Sequence, residues 1–258
     1  MKIGLQNTGM INVICVKWGD KYNSKFVNRL YRMVSKNLSY DFRFFCYTDD
    51  ETGIHPDVNI IRIGEDNELE AWWNKLTLFQ EGMFEGTCLF FDLDVVIQNN
   101  IDSLIDYLDE SCLTKVKCYW KDEQKIRHSI DPNDPKSSYD MTNNSSVMLW
   151  KADNLHCIYD HFIQNEDYYM IKYRGIDRFI VHEGFDVKTF DRGLIYSRLF
   201  GFDERNGGVR VHNNKYQLYK DESYLVCIFN GYSPSPNPSE GTHIDDTAYE
   251  GFEHYYDP

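Results

Sequence analysis

Two carboxylates that stand two residues apart, Asp92 and Asp94 in the run FFDLDVV, have the type and spacing of a metal site. The preceding run TCLFF predicts a buried strand, and residues two apart on a strand point to the same side. Open α/β sheets bind ligands at the carboxyl ends of their strands, where carboxylates suit Mg²⁺ or Mn²⁺. A chance acidic strand end would look similar. The apolar flanks favour the metal site, because uncompensated buried charge is costly.

Polar segments also stand at the carboxyl ends of the first two predicted strands. WGDKY (18–22) stands where a nucleotide would enter such a sheet, and TDD (48–50) could hydrogen-bond a base or a ribose hydroxyl. The chain has neither a Gly-x-Gly-x-x-Gly fingerprint nor a Walker loop, so a Rossmann dinucleotide site or a P-loop is not indicated. Ordinary turns would carry similar residues, and at this point both interpretations stay open.

Three later groups could also carry chemistry. The WWNK cluster ending at Lys75 offers a cation beside two aromatic rings, which suits a phosphate or a stacked ring, although Trp73 is expected in the core. NNSS (143–146) leads into a predicted strand and suits sugar hydroxyls, but turns use Asn and Ser equally well. Asp177 and Arg178 lie in a region without strong periodicity, where a surface ion pair is the simpler interpretation. The eight histidines show no metal-binding spacing.

The elements that would position these residues alternate between strand and helix patterns, which predicts an α/β fold with a doubly wound, mostly parallel central sheet and flanking helices. Strands are predicted over 11–17, 42–48, 58–63, 87–91, 145–150 and 224–229. Helices are predicted over 23–38, around 72–80, over 101–108 and over 152–164. We expect one domain over 1–258, with a nucleotide-binding half at about 11–110 and a loop-rich acceptor half at about 111–258.

The composition limits the partners. A net charge of −14 argues against nucleic acids and anionic membrane surfaces. The same charge repels a diphosphate, so a phosphate-bearing substrate would need a local cation. Seven cysteines without a CxxC pair indicate a reduced compartment. The N-terminus lacks the apolar core of a signal peptide, and no stretch has the roughly 20 apolar residues of a membrane span. A cytoplasmic protein without a membrane span is therefore expected.

Seven stretches together resemble the GT-A-fold glycosyltransferases, in particular the family-8-like group that includes glycogenin and bacterial lipopolysaccharide galactosyl- and glucosyltransferases. They are VKWGDKY, VNRLYRMV, FFCYTDD, WWNKL, LFFDLDVVI, NSSVMLW and GIDRF, and they span roughly residues 11–180. The resemblance implies a GT-A fold, a Mn²⁺ (or Mg²⁺) cofactor and a nucleotide-sugar donor, with a UDP-sugar expected. It also implies retention at the anomeric carbon and a glycan, lipopolysaccharide-like or protein acceptor.

The resemblance also implies roles for single residues. Those that would contact the donor are Lys17, Trp18, Gly19, Tyr22, Thr48, Asp49, Lys75, Asp92, Asn144, Ser145 and Ser146. Thr48 and Asp49 would contact uracil or ribose, and the segment 144–146 would approach the transferred sugar. Asp92 and Asp94 would bind the metal. Asp177 matches the acid that faces the reacting sugar.

The chain departs from the group at two places. Arg178 replaces the Gln that follows the acid. Relatives end their last core strand with Phe-His-Gly followed by Lys and Pro, where this chain reads FNGYSP (229–234). Asn230 would then be the third metal ligand in place of His, and the diphosphate would be held by Lys75, Lys215 or Lys220.

Two other functions remain as alternatives. A sugar nucleotidyltransferase uses a related sheet and acidic metal ligands, but it normally carries a Gly-rich basic loop after the first strand, which WGDKY is not. A GT-A-like carbohydrate-binding protein with weak or lost turnover would account for Asn230 and the missing Lys.

Overall fold

The computed structural model describes residues 9–64, 67, 69–121, 142–173, 175–205, 207–212, 215–229 and 251–256; for 215 and 216 only the backbone is described. Among them, seven strands form one central sheet in the order β3-β2-β1-β4-β7-β6-β8. These strands are β1 (Ile11–Lys17), β2 (Phe42–Thr48), β3 (Asn59–Arg62), β4 (Thr87–Phe91), β6 (Leu113–Lys117), β7 (Asn143–Lys151) and β8 (Val187–Thr189). The predicted α/β class with a mostly parallel sheet is confirmed.

The position of β7 decides where the site forms. β1, β2, β3 and β4 are mutually parallel, whereas β7 runs antiparallel to both β4 and β6. Phe91 at the end of β4 pairs with Val147 near the start of β7. The end of β4, which leads into Asp92 and Asp94, therefore lies beside the beginning of β7. All five residues of β4 are buried, as its apolar sequence TCLFF predicts.

One face of the sheet is covered by helix α1 (Ser24–Asn37), as predicted over 23–38. The side chain of Asn23 accepts a hydrogen bond from the backbone of Lys25 at 3.0 Å, which satisfies one of the free amides at the helix start. The apolar positions then recur at helical spacing and are buried: Phe26, Val27, Leu30, Met33 and Val34.

The opposite face is covered by shorter elements. They are a 3₁₀ helix (Ala71–Phe79) and the α-helices α2 (His156–Ile163), α3 (Glu166–Lys172) and α4 (Ile176–His182). A helix is present where one was predicted around 72–80, but it is a 3₁₀ helix and not an α-helix. The Asn74 side chain donates to the carbonyl oxygens of Leu69 (2.9 Å) and Ala71 (3.3 Å), and such local bonds compete with an α-helix.

Two other helix predictions need correction. The segment over 101–108 is a 3₁₀ helix, Asp102–Tyr107, a form common in short connecting segments. The predicted helix over 152–164 is divided into a 3₁₀ turn, Ala152–Asn154, and α2. β6, β8, α3 and α4 were not predicted.

A second sheet lies against the end of β4. It contains β5 (Val95–Ile97), β12 (Val226–Ile228) and β9 (Ile195–Ser197), with β12 in the middle. The strand predicted over 224–229 therefore belongs to this sheet and is shorter. The backbone N–H of Phe229 donates to the carbonyl of Asp94 at 2.9 Å, so the end of β12 meets the segment that carries Asp92 and Asp94. A two-stranded ribbon, β10 (Val211–His212) and β11 (Lys215–Tyr216), completes the described strands.

The C-terminal helix α5 (Glu253–Tyr256) packs against α1, where the Arg32 guanidinium donates to the carbonyl of Tyr256 at 2.9 Å. In the part of the chain that the structure describes, no helix has both the length and the apolar character needed to cross a bilayer. The division of one domain into two halves near residue 110 stays a prediction.

Candidate active site

A cleft of about 520 Å³ opens at the carboxyl ends of β1 and β4, beside the start of β7 and of α4. Nine of the residues that the sequence singled out line it: Trp18, Tyr22, Lys75, Asp92, Asp94, Asn144, Ser145, Ser146 and Asp177. They come from five separate segments of the chain. The order of strands in the sheet is what brings them together.

Asp92 and Lys75 form a close ion pair at the floor of the cleft. The Lys75 ammonium lies 2.6 Å from Oδ1 of Asp92, and only 7% of the Lys75 residue is exposed. The same ammonium donates to the hydroxyl of Ser145 at 3.3 Å and lies 5.1 Å from the centre of the Phe90 ring. These contacts fix the Lys75 ammonium at the floor of the cleft.

The beginning of β7 supplies the neutral polar wall. The Asn144 side-chain oxygen accepts a hydrogen bond from the backbone of Ser146 at 2.8 Å, and the Ser146 carbonyl accepts one from the Asp92 backbone at 2.9 Å. Ser145 and Ser146 are 3% and 4% exposed. This wall is therefore bonded directly to the motif that carries the two carboxylates.

The two carboxylates suit a divalent cation. Asp92 and Asp94 both line the cleft, and they provide oxygen ligands of the kind that Mn²⁺ and Mg²⁺ prefer. The Lys75 ammonium neutralises one of the two charges. Within the described residues no group of three His, Cys, Asp or Glu side chains could hold a metal. The predicted third ligand, Asn230, lies outside those residues and stays a prediction.

Four predicted donor residues do not line the cleft. Lys17 is 3% exposed, with its ammonium 3.9 Å from Asp49 and 3.6 Å from Asp50. Asp49 also accepts a hydrogen bond from the backbone of Gly19 at 2.8 Å, and Thr48 exchanges two bonds with the Asp50 backbone. This network ties the ends of β1 and β2 together and holds the loop that carries Trp18 and Tyr22. The donor roles of these four residues stay predictions.

Asp177 has a buried partner that the sequence did not reveal. The Lys115 ammonium lies 2.5 Å from Oδ1 of Asp177; the Lys115 side chain is completely buried, and that of Asp177 is 27% exposed. Lys115 stands in the middle of β6, whose sequence LTKVK gives no sign of a buried lysine. Because charged groups are buried only when paired, the pair fixes one carboxylate oxygen of Asp177 at the cleft wall.

Comparison of the whole chain with known proteins finds similarity of structure, whereas the sequence comparisons find none. No family model and no curated protein matches the sequence. Two crystal structures of LgtC do match. One is an active-site mutant, with a TM-score of 0.59 and 14% identity over 95% of this chain and 94% of that one. The other is the galactosyltransferase LgtC in complex with donor and acceptor sugar analogues, with a TM-score of 0.53 and 14% identity over 95% and 93%.

The chain has the GT-A fold. At 14% identity the likeness establishes the fold and does not establish the reaction. The cleft at the carboxyl ends of β1 and β4 is nevertheless where an open α/β sheet places its ligand.

Of the three lysines predicted to hold a diphosphate, one lines the cleft. Lys220 does not line the cleft; its ammonium donates to the carbonyl of Gly251 at 2.9 Å and pairs with Glu222 at 2.9 Å. The side chain of Lys215 lies outside the described residues. Lys75 does line the cleft, together with Lys21 and Arg178, which the sequence did not assign to a phosphate.

No individual role was predicted for the residues of the remaining wall of the cleft. It is formed by Val16, Asp20, Ala71, Trp72, Leu93, Gly175 and Ile176. Trp72 was seen in the sequence only as one of two adjacent tryptophans. Its neighbour Trp73 is 7% exposed and stacks on Phe162, whereas Trp72 is 52% exposed. The expectation that Trp73 lies in the core is confirmed, and no separate role was predicted for Trp72.

Proposed function

We propose that this protein is a metal-dependent glycosyltransferase that moves a sugar from a nucleotide sugar, expected to be a UDP-sugar, to an acceptor hydroxyl. The observation that carries the proposal is the convergence of Asp92, Asp94 and Lys75 in one cleft of a GT-A fold. In a negatively charged protein, a local cation favours the binding of a diphosphate. This cleft contains a fixed ammonium and a pair of carboxylates suited to a cation.

The residues at the floor would act on the leaving diphosphate. Asp92 and Asp94 would hold Mn²⁺ or Mg²⁺, which supplies positive charge as the bond between the sugar and the diphosphate breaks. Lys75 is already ordered by Asp92 and Ser145, so it can stabilise developing negative charge at little reorganisation cost. Ser146 and Asn144 offer hydrogen-bonding groups to the hydroxyls of the transferred sugar.

Asp177 would face the reacting sugar from the wall at the start of α4. Its Oδ1 is held by Lys115, which keeps a negative charge in a defined position at the cleft. The family resemblance implies that the transferred sugar keeps its anomeric configuration. NMR analysis of the product anomer tests that point: a retained configuration supports it, and an inverted one rejects it.

The acceptor would approach from the open side of the cleft. LgtC has been crystallised with donor and acceptor sugar analogues. By analogy, the acceptor of this protein is a hydroxyl of a glycan, with lipopolysaccharide-like and protein acceptors as the other expected classes.

The experiment that tests the proposal is Mn²⁺-dependent release of UDP from a panel of UDP-sugars. Wild type should release UDP from at least one sugar, and Asp94→Ala should not. Asp106→Ala is the matched control, because it removes the same charge from an exposed position outside the cleft. Chemistry that forms or consumes pyrophosphate would support a nucleotidyltransferase instead. Tight sugar binding without turnover would support a binding protein.

A further inference from the structure

The open side of the cleft carries one large apolar side chain. Of the described large hydrophobic residues that are exposed, Trp72 alone lines the cleft. Its indole is 52% exposed, whereas the floor residues Lys75 and Asp94 are 7% and 8% exposed. A flat apolar surface thus stands at the rim of a cleft whose floor is charged.

Two unusual backbone positions hold the indole there. Ala71, directly before Trp72, has φ = 48°, the left-handed region that residues with a side chain rarely adopt. Such conformations are costly, and they cluster at ligand sites. Among the described residues Ala71 is the one non-glycine residue with a positive φ, and it also lines the cleft.

Gly175 is the second position. A Cβ there would lie 2.9 Å from Nε1 of Trp72, closer than side chains pack, and the φ of 153° is itself unfavourable for other residues. Gly175 immediately precedes α4, whose second residue is Asp177. The absence of a side chain at 175 therefore allows the indole to lie against the backbone that presents the Asp177 carboxylate.

We propose that Trp72 forms the stacking surface of an acceptor subsite that binds a sugar ring. This inference rests on the proposed function and adds the residue on which the ring of the glycan acceptor would stack. A pyranose has an apolar C–H face and a rim of hydroxyls. The indole can pack against the C–H face, and the polar side chains of Asp177 and Arg178 at the same wall can hydrogen-bond to the hydroxyls. The exposed rim position assigns the ring to the acceptor, because the donor diphosphate would lie at the buried floor.

Kinetics of Trp72→Ala separate the two substrates. We expect the KM for an acceptor probe, lactose or a methyl hexoside, to rise about tenfold or more. Losses of this size are typical when a tryptophan that becomes buried on binding is removed. The KM for the UDP-sugar in the slow hydrolysis without acceptor should change much less than the acceptor KM, and Trp72→Phe should restore most of the acceptor affinity. Tyr168→Ala is the matched control, because Tyr168 is 48% exposed and does not line the cleft. A change in donor KM alone, or no change in acceptor KM, rejects the proposal.

A binding measurement keeps this inference separate from the proposed function. Titration of the protein with the same glycosides, in the presence of UDP and Mn²⁺, should change tryptophan fluorescence in wild type and not in Trp72→Phe. If no UDP-sugar turns over but the fluorescence change occurs, the proposed function fails and the sugar subsite stands. If UDP-sugars turn over and the fluorescence does not respond to any glycoside, the subsite fails alone.

Discussion

At the scale of single residues, the cleft is organised by two lysines that differ in accessibility. Lys75 lines the cleft and pairs with Asp92, whereas Lys115 lies behind the wall and pairs with Asp177. Both carboxylates are thereby held in one orientation. Lys75 can reach a bound ligand directly, and Lys115 can act only through its partner.

Replacing Lys75 should weaken catalysis more than folding. Lys75→Met removes a fixed positive charge from the position of the leaving diphosphate, and losses of this kind reach roughly 100-fold in kcat or more. Asp92 can be hydrated because its side chain is 23% exposed, so the loss of stability should be modest. The measurement is kcat/KM for the UDP-sugar together with urea unfolding. Lys25→Met, at an exposed position of α1, is the control. Equal activity in the two variants would contradict the role of Lys75.

Replacing Asp177 should destabilise the fold more than replacing Lys115. Asp177→Ala leaves a completely buried ammonium without its carboxylate, which should lower the free energy of unfolding by about 3–5 kcal/mol. Lys115→Met should cost less, because the Asp177 carboxylate reaches solvent. The double variant Lys115→Met/Asp177→Ala should recover much of the loss and remain inactive. Urea unfolding of the four proteins checks this, and additive losses in the double variant would show that the pair is not coupled.

At the scale of elements, the sequence predicted the strands that carry the site and missed the parts that complete it. β4 is a continuous apolar run, so its end at Asp92 could be located from the sequence. Three of the five residues of β6 (LTKVK) are polar, which resembles an exposed strand, although Lys115 is buried there. That burial depends on Asp177, which is distant in sequence. Such pairs are set by tertiary packing, which a local pattern cannot show.

Helices α2, α3 and α4 are joined by a polar network around Glu183. His161 lies 3.0 Å from its carboxylate, Lys172 donates to it at 2.8 Å, and the Tyr173 hydroxyl donates to it as well. Burial alone raises the pKa of Glu183. The hydrogen bonds from Lys172, Tyr173 and His161 outweigh burial and lower the pKa from 4.5 to about 2. The network therefore stabilises the ionised form in the folded state.

Because this pKa is lower in the folded than in the unfolded protein, Glu183 should stabilise the fold fully above pH 4.5 and lose that effect as the pH falls toward 2. Glu183→Gln should therefore be less stable than wild type at pH 7, and the difference should shrink between pH 4.5 and pH 3. Urea unfolding at several pH values measures it. Glu81→Gln, at an exposed position, is the control. A difference that grows on acidification would contradict the assigned shift.

At the scale of the whole molecule, charge and fold together limit the function. The net charge of −14 would repel a diphosphate, and the cleft of the GT-A fold is where cationic side chains meet the two carboxylates. The fold could be inferred from the order of weak motifs along the chain, although no single motif was decisive. The role of Asn230 as a metal ligand stays a prediction.

A cation should therefore be required before the nucleotide can stabilise the protein. Mn²⁺ and UDP together should raise the Tm, because they bind only the folded state. UDP alone should raise it little, and EDTA should reverse the increase. Thermal unfolding followed by fluorescence measures this. An equal increase with UDP in EDTA would mean that lysines alone hold the diphosphate.

The most direct test of the central claim is calorimetric titration of UDP into the protein with and without Mn²⁺. The account predicts binding with Mn²⁺, little binding in EDTA, and loss of the Mn²⁺-dependent binding in Asp94→Asn but not in Asp106→Asn. UDP binding that is independent of both Mn²⁺ and Asp94, or no UDP binding under any of these conditions, would contradict it.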